Sequence, residues 1–126
     1  MKLTRTIDTI DGMKVIKLFE DDKLILTIGE KLDSDPIEIT LDGALTSDTA
    51  GWLLNELDFF ASVNFKVRTD FSKVTYLSPS AVQAFRNNQK SIDGFRKGGL
   101  TLTNVSDELY DQMEKLGVAG LLLIED

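Results

Sequence analysis

Histidine and cysteine are both missing from this 126-residue chain. Without them it cannot assemble a Ser-His-Asp triad, a thiol nucleophile, a Cys/His zinc centre or a His-ligated haem. Carboxylates, lysine, tyrosine and hydroxyls are the groups left for chemistry. Proline is scarce, with two residues, yet 42% hydrophobic and 28% charged content is that of a soluble domain rather than a disordered or fibrous chain. Long apolar runs are also lacking: the longest, Ala119 to Ile124, is far short of the roughly 20 residues a membrane helix needs. Positive charge is in deficit. Against 21 acidic residues stand 14 basic ones, a net charge of −7, which is the wrong sign for nucleic acid and argues against direct membrane insertion or association. A protein partner is expected instead, and no cofactor or metal is implied. The opening MKLTRTIDTIDG has no apolar stretch of a secretory signal, so a cytoplasmic location is expected. The length suits one domain, burying about two-thirds of the surface its unfolded chain exposes.

From Pro36 onward, strand and helix signals alternate. IEITL (Ile37 to Leu41) has the two-residue period of a strand, which Asp42-Gly43 is expected to end. Ser47 is a candidate cap for a helix from Asp48 to about Ala61, with Leu53, Leu57 and Phe60 on one stripe. Phe65, Val67, Thr69 and Phe71 alternate toward one side of a second strand, and Val74 to Leu77 form a short further segment. In LSPSAVQAF, Ser78 suits an N-cap, Pro79 falls at the first helical position where its missing N–H costs nothing, and Leu77 and Val82 occupy the places of a hydrophobic staple. Ala81, Val82, Phe85 and Ile92 give that helix an inward stripe, and Gly94, Gly98 and Gly99 end it. LTLTN (Leu100 to Asn104) is the next strand. Ser106 caps another helix with Leu109, Met113 and Leu116 inward and Val105 and Tyr110 as its staple, Gly117 closes it, and LLLIE is a final strand. Parallel strands need such crossover helices, so the expected fold is α/β, a mixed sheet with helices packed on it. Residues 1–35 are less orderly. Met13 to Phe19 and Lys23 to Ile28 suggest two strands around a Glu20-Asp21-Asp22 turn, adding an antiparallel edge, and a helix over Ile7 to Lys17 is an open alternative.

LDGALTSDTAGWL, TDFSKVTYLSPSAV and GGLTLTNVSDELYDQMEKLGV, in this order and spacing, make Pro36 to Asp126 similar to a STAS domain. This is the module of bacterial anti-sigma-factor antagonists that also ends sulfate transporters. The resemblance implies a STAS-like fold over 36–126 with a last helix missing or very short, an N-terminal extension over 1–35, and bacterial transcription regulation through an anti-sigma factor kinase as partner. The switch loop of phosphorylated family members reads Asp-Ser-Ser/Thr-Gly, with the hydroxyl after the Asp accepting phosphate. Here Ser78 replaces the Asp, Pro79 the acceptor and Ala81 the Gly, while Ser80 keeps the second hydroxyl. Thr46 stands where the family often has an acidic residue.

Proline cannot carry phosphate, so the usual phosphoserine switch is expected to be lost, with Ser80 and Ser78 the remaining candidates for modification. The expected role is a regulatory, protein-binding module and not an enzyme. Its docking surface would comprise Thr46, Ser47, Leu77, Ser78, Pro79, Ser80 and Gln83. A transporter ATPase or a stressosome-like scaffold is the alternative partner, and residues 1–35 could instead support a homodimer. A reading of another class is a small carboxylate enzyme built on Asp70 with Asp42 or Asp48 near strand ends, where open α/β sheets place ligands. Trp52 beside Leu53 reads as packing rather than a docking anchor. Gly98-Gly99 reads as a turn, since no lysine-hydroxyl sequel follows it, and Arg86, Lys90, Arg96 and Lys97 as a solvated face.

Overall fold

The computed structural model describes residues 2–34, 36–62, 66–83, 100–115 and 124–125. Two tight turns shape its front half. Asp11 and Gly12 have φ of 51° and 79°, and Asp21 and Asp22 have 50° and 66°. Paired positive φ values give a hairpin turn whose twist matches that of its strands, and Asp and Gly are among the residues that tolerate them. These turns join β1 (Leu3–Ile10), β2 (Met13–Glu20) and β3 (Lys23–Lys31) into an antiparallel meander closed by the pairs Ile10↔Met13 and Glu20↔Lys23. The alternative of a helix over Ile7 to Lys17 is therefore wrong. Asp11-Gly12 interrupts the segment, and each side of it has the strand period.

β4 (Ile37–Leu45) pairs antiparallel with β3, and β5 (Val67–Leu77), β6 (Leu100–Thr103) and β7 (Ile124–Glu125) then follow in parallel. The seven strands lie in chain order across one sheet. Helix α1 (Ser47–Ser62) links β4 to β5, a helical segment α2 (79–83) follows β5, and α3 (Asp107–Lys115) follows β6. When parallel strands are added in chain order through right-handed crossovers, every crossover falls on the same face. The packing agrees: Leu53, Leu57 and Phe60 of α1, Ala81 and Val82 of α2, and Leu109 and Met113 of α3 join one cluster with Ile16, Leu18, Leu26, Ile28, Ile39, Leu41 and Phe71 of the strands. Trp52 is half-buried against this core, with the Arg5 guanidinium 5.9 Å from its ring centre, so it packs rather than projects.

Two strand ends differ from expectation. Asp42-Gly43 does not stop β4; the register shifts there and the strand runs on to Leu45. Gly43 adopts φ 129°, and a Cβ on it would lie 2.2 Å from the Ile25 carbonyl oxygen, so the glycine permits a bulge and a close approach rather than a turn. β5 is one strand of 11 residues, not two pieces. The expectations for Phe65, Phe85, Ile92, Leu116, the glycines at 94, 98, 99 and 117, and the basic residues Arg86, Lys90, Arg96 and Lys97 lie outside the described residues, as does most of LLLIE.

One core position breaks the apolar rule. Glu30 of β3 is fully buried beneath α1, with Lys14 Nζ 3.7 Å from its Oε1. Burial, and next the neighbouring Glu56 carboxylate, push its pKa up to about 8 against the pull of Lys14. Across the window from the ordinary carboxyl range to about 8, the folded chain keeps a proton that the unfolded chain has lost. Stability therefore falls as pH rises through that window. Urea unfolding should show a loss of about 1 kcal/mol per pH unit between about pH 5.5 and about pH 7.5, and Glu30→Gln should flatten it. We also expect a chain begun near Pro36 to aggregate, because removing β3 strips the partner from the β4 edge and uncovers Ile39 and Leu41. Light scattering against the full chain checks this.

Candidate functional site

The site forms where β4 and β5 end together. Their last residues pair, Leu45 with Leu77, and the Ser78 N–H donates to the Leu45 carbonyl at 3.0 Å. Two helix starts are thereby set side by side at the carboxyl edge of the parallel strands, each carrying free N–H groups that must be capped.

At the first start the cap is Thr46, not Ser47. The Thr49 N–H donates to Thr46 Oγ1 at 3.3 Å, and the Thr46 N–H donates to Thr49 Oγ1 at 2.8 Å. This is a reciprocal capping box in which a second threonine takes the usual Glu or Gln place. The Ala50 N–H closes the turn on the Thr46 carbonyl at 2.9 Å. Each hydroxyl still has one proton to give: Thr49 donates to the Ala44 carbonyl at 3.0 Å, and Thr46 to Glu20 Oε1 at 2.9 Å. The cap thus also fastens the end of β2 to α1. Ser47 becomes the first helical residue and is exposed.

At the second start Ser78 caps as the sequence predicts. Its Oγ receives the Ala81 N–H at 3.1 Å and its carbonyl the Val82 N–H at 3.1 Å. The Ser80 hydroxyl lies 3.1 Å from Ser78 Oγ. Pro79 and Ser80 are exposed and Gln83 is half-buried. Leu77 is 1% exposed, so it supports the surface from beneath instead of contributing to it.

The structure adds residues that the sequence analysis did not single out. Gln112 of α3 donates its side-chain N–H to the Leu77 carbonyl, tying the third helix to the second start. Pro79, Glu108, Asp111, Gln112 and Lys115 line an open groove of about 480 Å³. Among the described residues, the groove sets two carboxylates, Glu108 and Asp111, against the single ammonium of Lys115. The signal for Gln112 was present, since it sits between Leu109 and Met113 on the inward stripe of α3. Ser106 caps that helix, receiving the Leu109 N–H at 3.2 Å.

The proposed catalytic carboxylates are only partly brought together. Asp42 and Asp70 line a hollow of about 380 Å³ that also borders Met13, Val15 and Thr27, on the sheet face away from α1. Asp48 sits apart in the first turn of α1. Burial raises the Asp70 pKa, but the Ser72 N–H at 2.8 Å, the Asn104 amide at 3.1 Å and the Lys73 charge outweigh it and leave the carboxyl below its usual range.

A mixed sheet with its helices on one face and two helix starts at one edge is the architecture of a STAS-like domain, and the comparisons agree. Residues 28–125 match the family model described as "Mlab, STAS domain", and the chain belongs to the STAS-domain family. Among solved structures, it is similar to the anti-sigma factor antagonist SpoIIAA in its unphosphorylated form. The TM-score is 0.57 and the identity 12%, over 79% of this chain and 88% of that one, a likeness of fold. No curated protein matches the chain in sequence.

Cap energetics separate these hydroxyls. Thr46→Ala removes a reciprocal cap and leaves Glu20 without its donor, so it should cost about 1–3 kcal/mol of stability; Ser78→Ala should cost about 0.5–2, and exposed Ser47→Ala within about 0.5. Denaturant unfolding of the three variants checks the order.

Proposed function

We propose that this protein is a regulatory, protein-binding module rather than an enzyme, docking through the paired helix starts and doing so without a phosphoserine switch. The surface consists of Thr46, Ser47, Pro79, Ser80 and Gln83, with Ser78 and Leu77 holding it in shape. The observation that carries this reading is Pro79 at the exposed first position of α2, where the resemblance places the phosphate acceptor. Around it the framework is kept: the β4–β5 ends in step, Ser78 capping, and Leu77 and Val82 in the core. The shape that a partner would meet is preserved, while the hydroxyl that would regulate it is gone.

The depressed Asp70 and the distant Asp48 speak against a carboxylate enzyme built on Asp70 with Asp42 or Asp48, because a general acid or base working near neutrality needs a carboxyl tuned upward. Between partners, loss of the acceptor favours one that does not act on this loop as a kinase. A transporter ATPase or a scaffold satisfies that as well as an anti-sigma factor does. The acidic groove beside Pro79 favours a partner with a basic contact surface.

Titration calorimetry with the purified partner tests the docking surface. Ser80→Ala should bind like the native chain, whereas Ser80→Glu, which puts a charge into the contact, should bind at least about tenfold more weakly. Equal binding by the two variants would place the interface elsewhere. Incubation with an anti-sigma kinase and ATP should leave the intact mass unchanged, and stoichiometric phosphate on Ser78 or Ser80 would overturn the constitutive reading.

A further inference from the structure

Farther along α1, about 14 Å along its axis from Ser47 at 1.5 Å per residue, lies a second site that shares no residue with the docking surface. A cavity of about 290 Å³ is lined by Lys14 of β2, Glu30 of β3, Leu32 just beyond it, and Glu56, Phe59 and Phe60 of α1. Glu30 is 0% exposed, and neither carboxyl oxygen has a hydrogen-bond partner among the described residues. One ammonium serves two carboxylates: Lys14 Nζ is 3.7 Å from Glu30 Oε1 and 3.6 Å from Glu56 Oε2. Both distances exceed hydrogen-bond length. The residue paired with Glu30 on β4 is Ile39, which is apolar, so among the described residues Lys14 and Glu56 are the charged groups that face it. At the mouth, Leu32 and Phe59 are 48% and 59% exposed.

A buried carboxylate whose one ammonium lies beyond hydrogen-bond length is costly, which is why Glu30 holds its proton beside Glu56, and an apolar residue of similar size would avoid that cost. The arrangement becomes favourable if something completes it. With Lys14 charged, the cluster is neutral while Glu30 keeps its proton and carries one net negative charge once the proton leaves, so neither state attracts an anion. A neutral apolar guest would leave the oxygens bare. A divalent metal would find only two carboxylates, since no group of three or more metal-binding side chains exists among the described residues, and its double charge would meet the Lys14 ammonium more severely than a single, delocalised or alkylated one. The volume holds several waters or one small organic group, and its walls are aliphatic and aromatic at the mouth and acidic at the floor.

We propose that this cavity binds an alkylammonium or guanidinium group carried on an apolar stem. Glu30 and Glu56 receive the N–H donors, and Leu32 and the Phe59 ring flank the stem. The charge of the guest requires Glu30 as carboxylate, so binding expels the Glu30 proton to water, and affinity rises with pH up to the Glu30 pKa of about 8.

Carboxyl-labelled glutamate in the full chain, followed by NMR, tests this with n-butylammonium and its neutral isostere n-butanol. The Glu30 and Glu56 carbons should shift saturably with n-butylammonium and not with n-butanol. The apparent affinity should rise up to about tenfold per pH unit between about pH 6 and about pH 7.5. Glu30→Gln, shown to be folded by its melting curve, should weaken binding at least about tenfold and remove the pH dependence. Equal binding of the alcohol, or a pH-independent affinity in the native chain, would overturn the proposal, as would unchanged binding by Glu30→Gln. A blocked lysine peptide binding more tightly than n-butylammonium assigns the site to a protein side chain, and the reverse order assigns it to a free amine; either order supports the ligand class.

Discussion

The parallel pairing of β4 with β5 is the constraint on which the rest depends. β4 is the strand where the sheet changes from antiparallel to parallel, and its last residue, Leu45, is bound to Ser78 by a backbone hydrogen bond. Because the two strands end in step, two helices start in step, and four hydroxyls, of Thr46, Ser47, Ser78 and Ser80, fall within one small edge. The step is not automatic. β4 reaches Leu45 through a bulge at Gly43, whose φ of 129° and close approach to the Ile25 carbonyl admit no side chain. One glycine therefore sets both the length of β4 and the placement of the docking edge.

What was legible in the sequence was local. The Ser78 and Ser106 caps and the Leu53, Leu57, Phe60 stripe each follow from a few neighbouring residues, and all appear where expected. The same locality misplaced the first cap by one residue. Ser47 is the slightly better cap in isolation, and the choice of Thr46 is made by Thr49 and by Glu20, the latter 26 residues away in sequence. The Asp42-Gly43 pair looked like a strand end because its bulge depends on β3 lying alongside. Asp11-Gly12 is a true turn of the same composition; it rules out the helical alternative over Ile7 to Lys17 and begins a pairing with β1, a strand the sequence analysis did not single out.

Glu30 was invisible for a stronger reason. In KLILTIGEK it occupies the same face as Leu26 and Ile28, yet a terminal glutamate on a strand is usually solvated. Its burial comes from α1 crossing above it, and its raised pKa first from that burial and then from Glu56, which is adjacent only after the crossing. The carboxylates that the sequence did offer as chemical candidates behave in the opposite way. Asp70 collects donors from Ser72 and Asn104 and stays ionised. In this pair of carboxyls the upward shift belongs to the one a helix covers and the downward shift to the one on which donors converge.

α1 is gripped by the N-terminal meander at both ends of its inner face. Near its start, the Thr46 hydroxyl holds Glu20 at the end of β2; two to three turns on, Lys14 at the beginning of the same strand meets Glu56. β2 and α1 are therefore fastened by two polar contacts with apolar packing of Ile16 and Leu18 between them. Such a pair moves as a unit, since neither contact can open alone without tilting the helix against a packed core. The first strands consequently do more than protect an edge. Through Glu20 and Lys14 they hold α1, and with it one of the two helix starts, against the sheet.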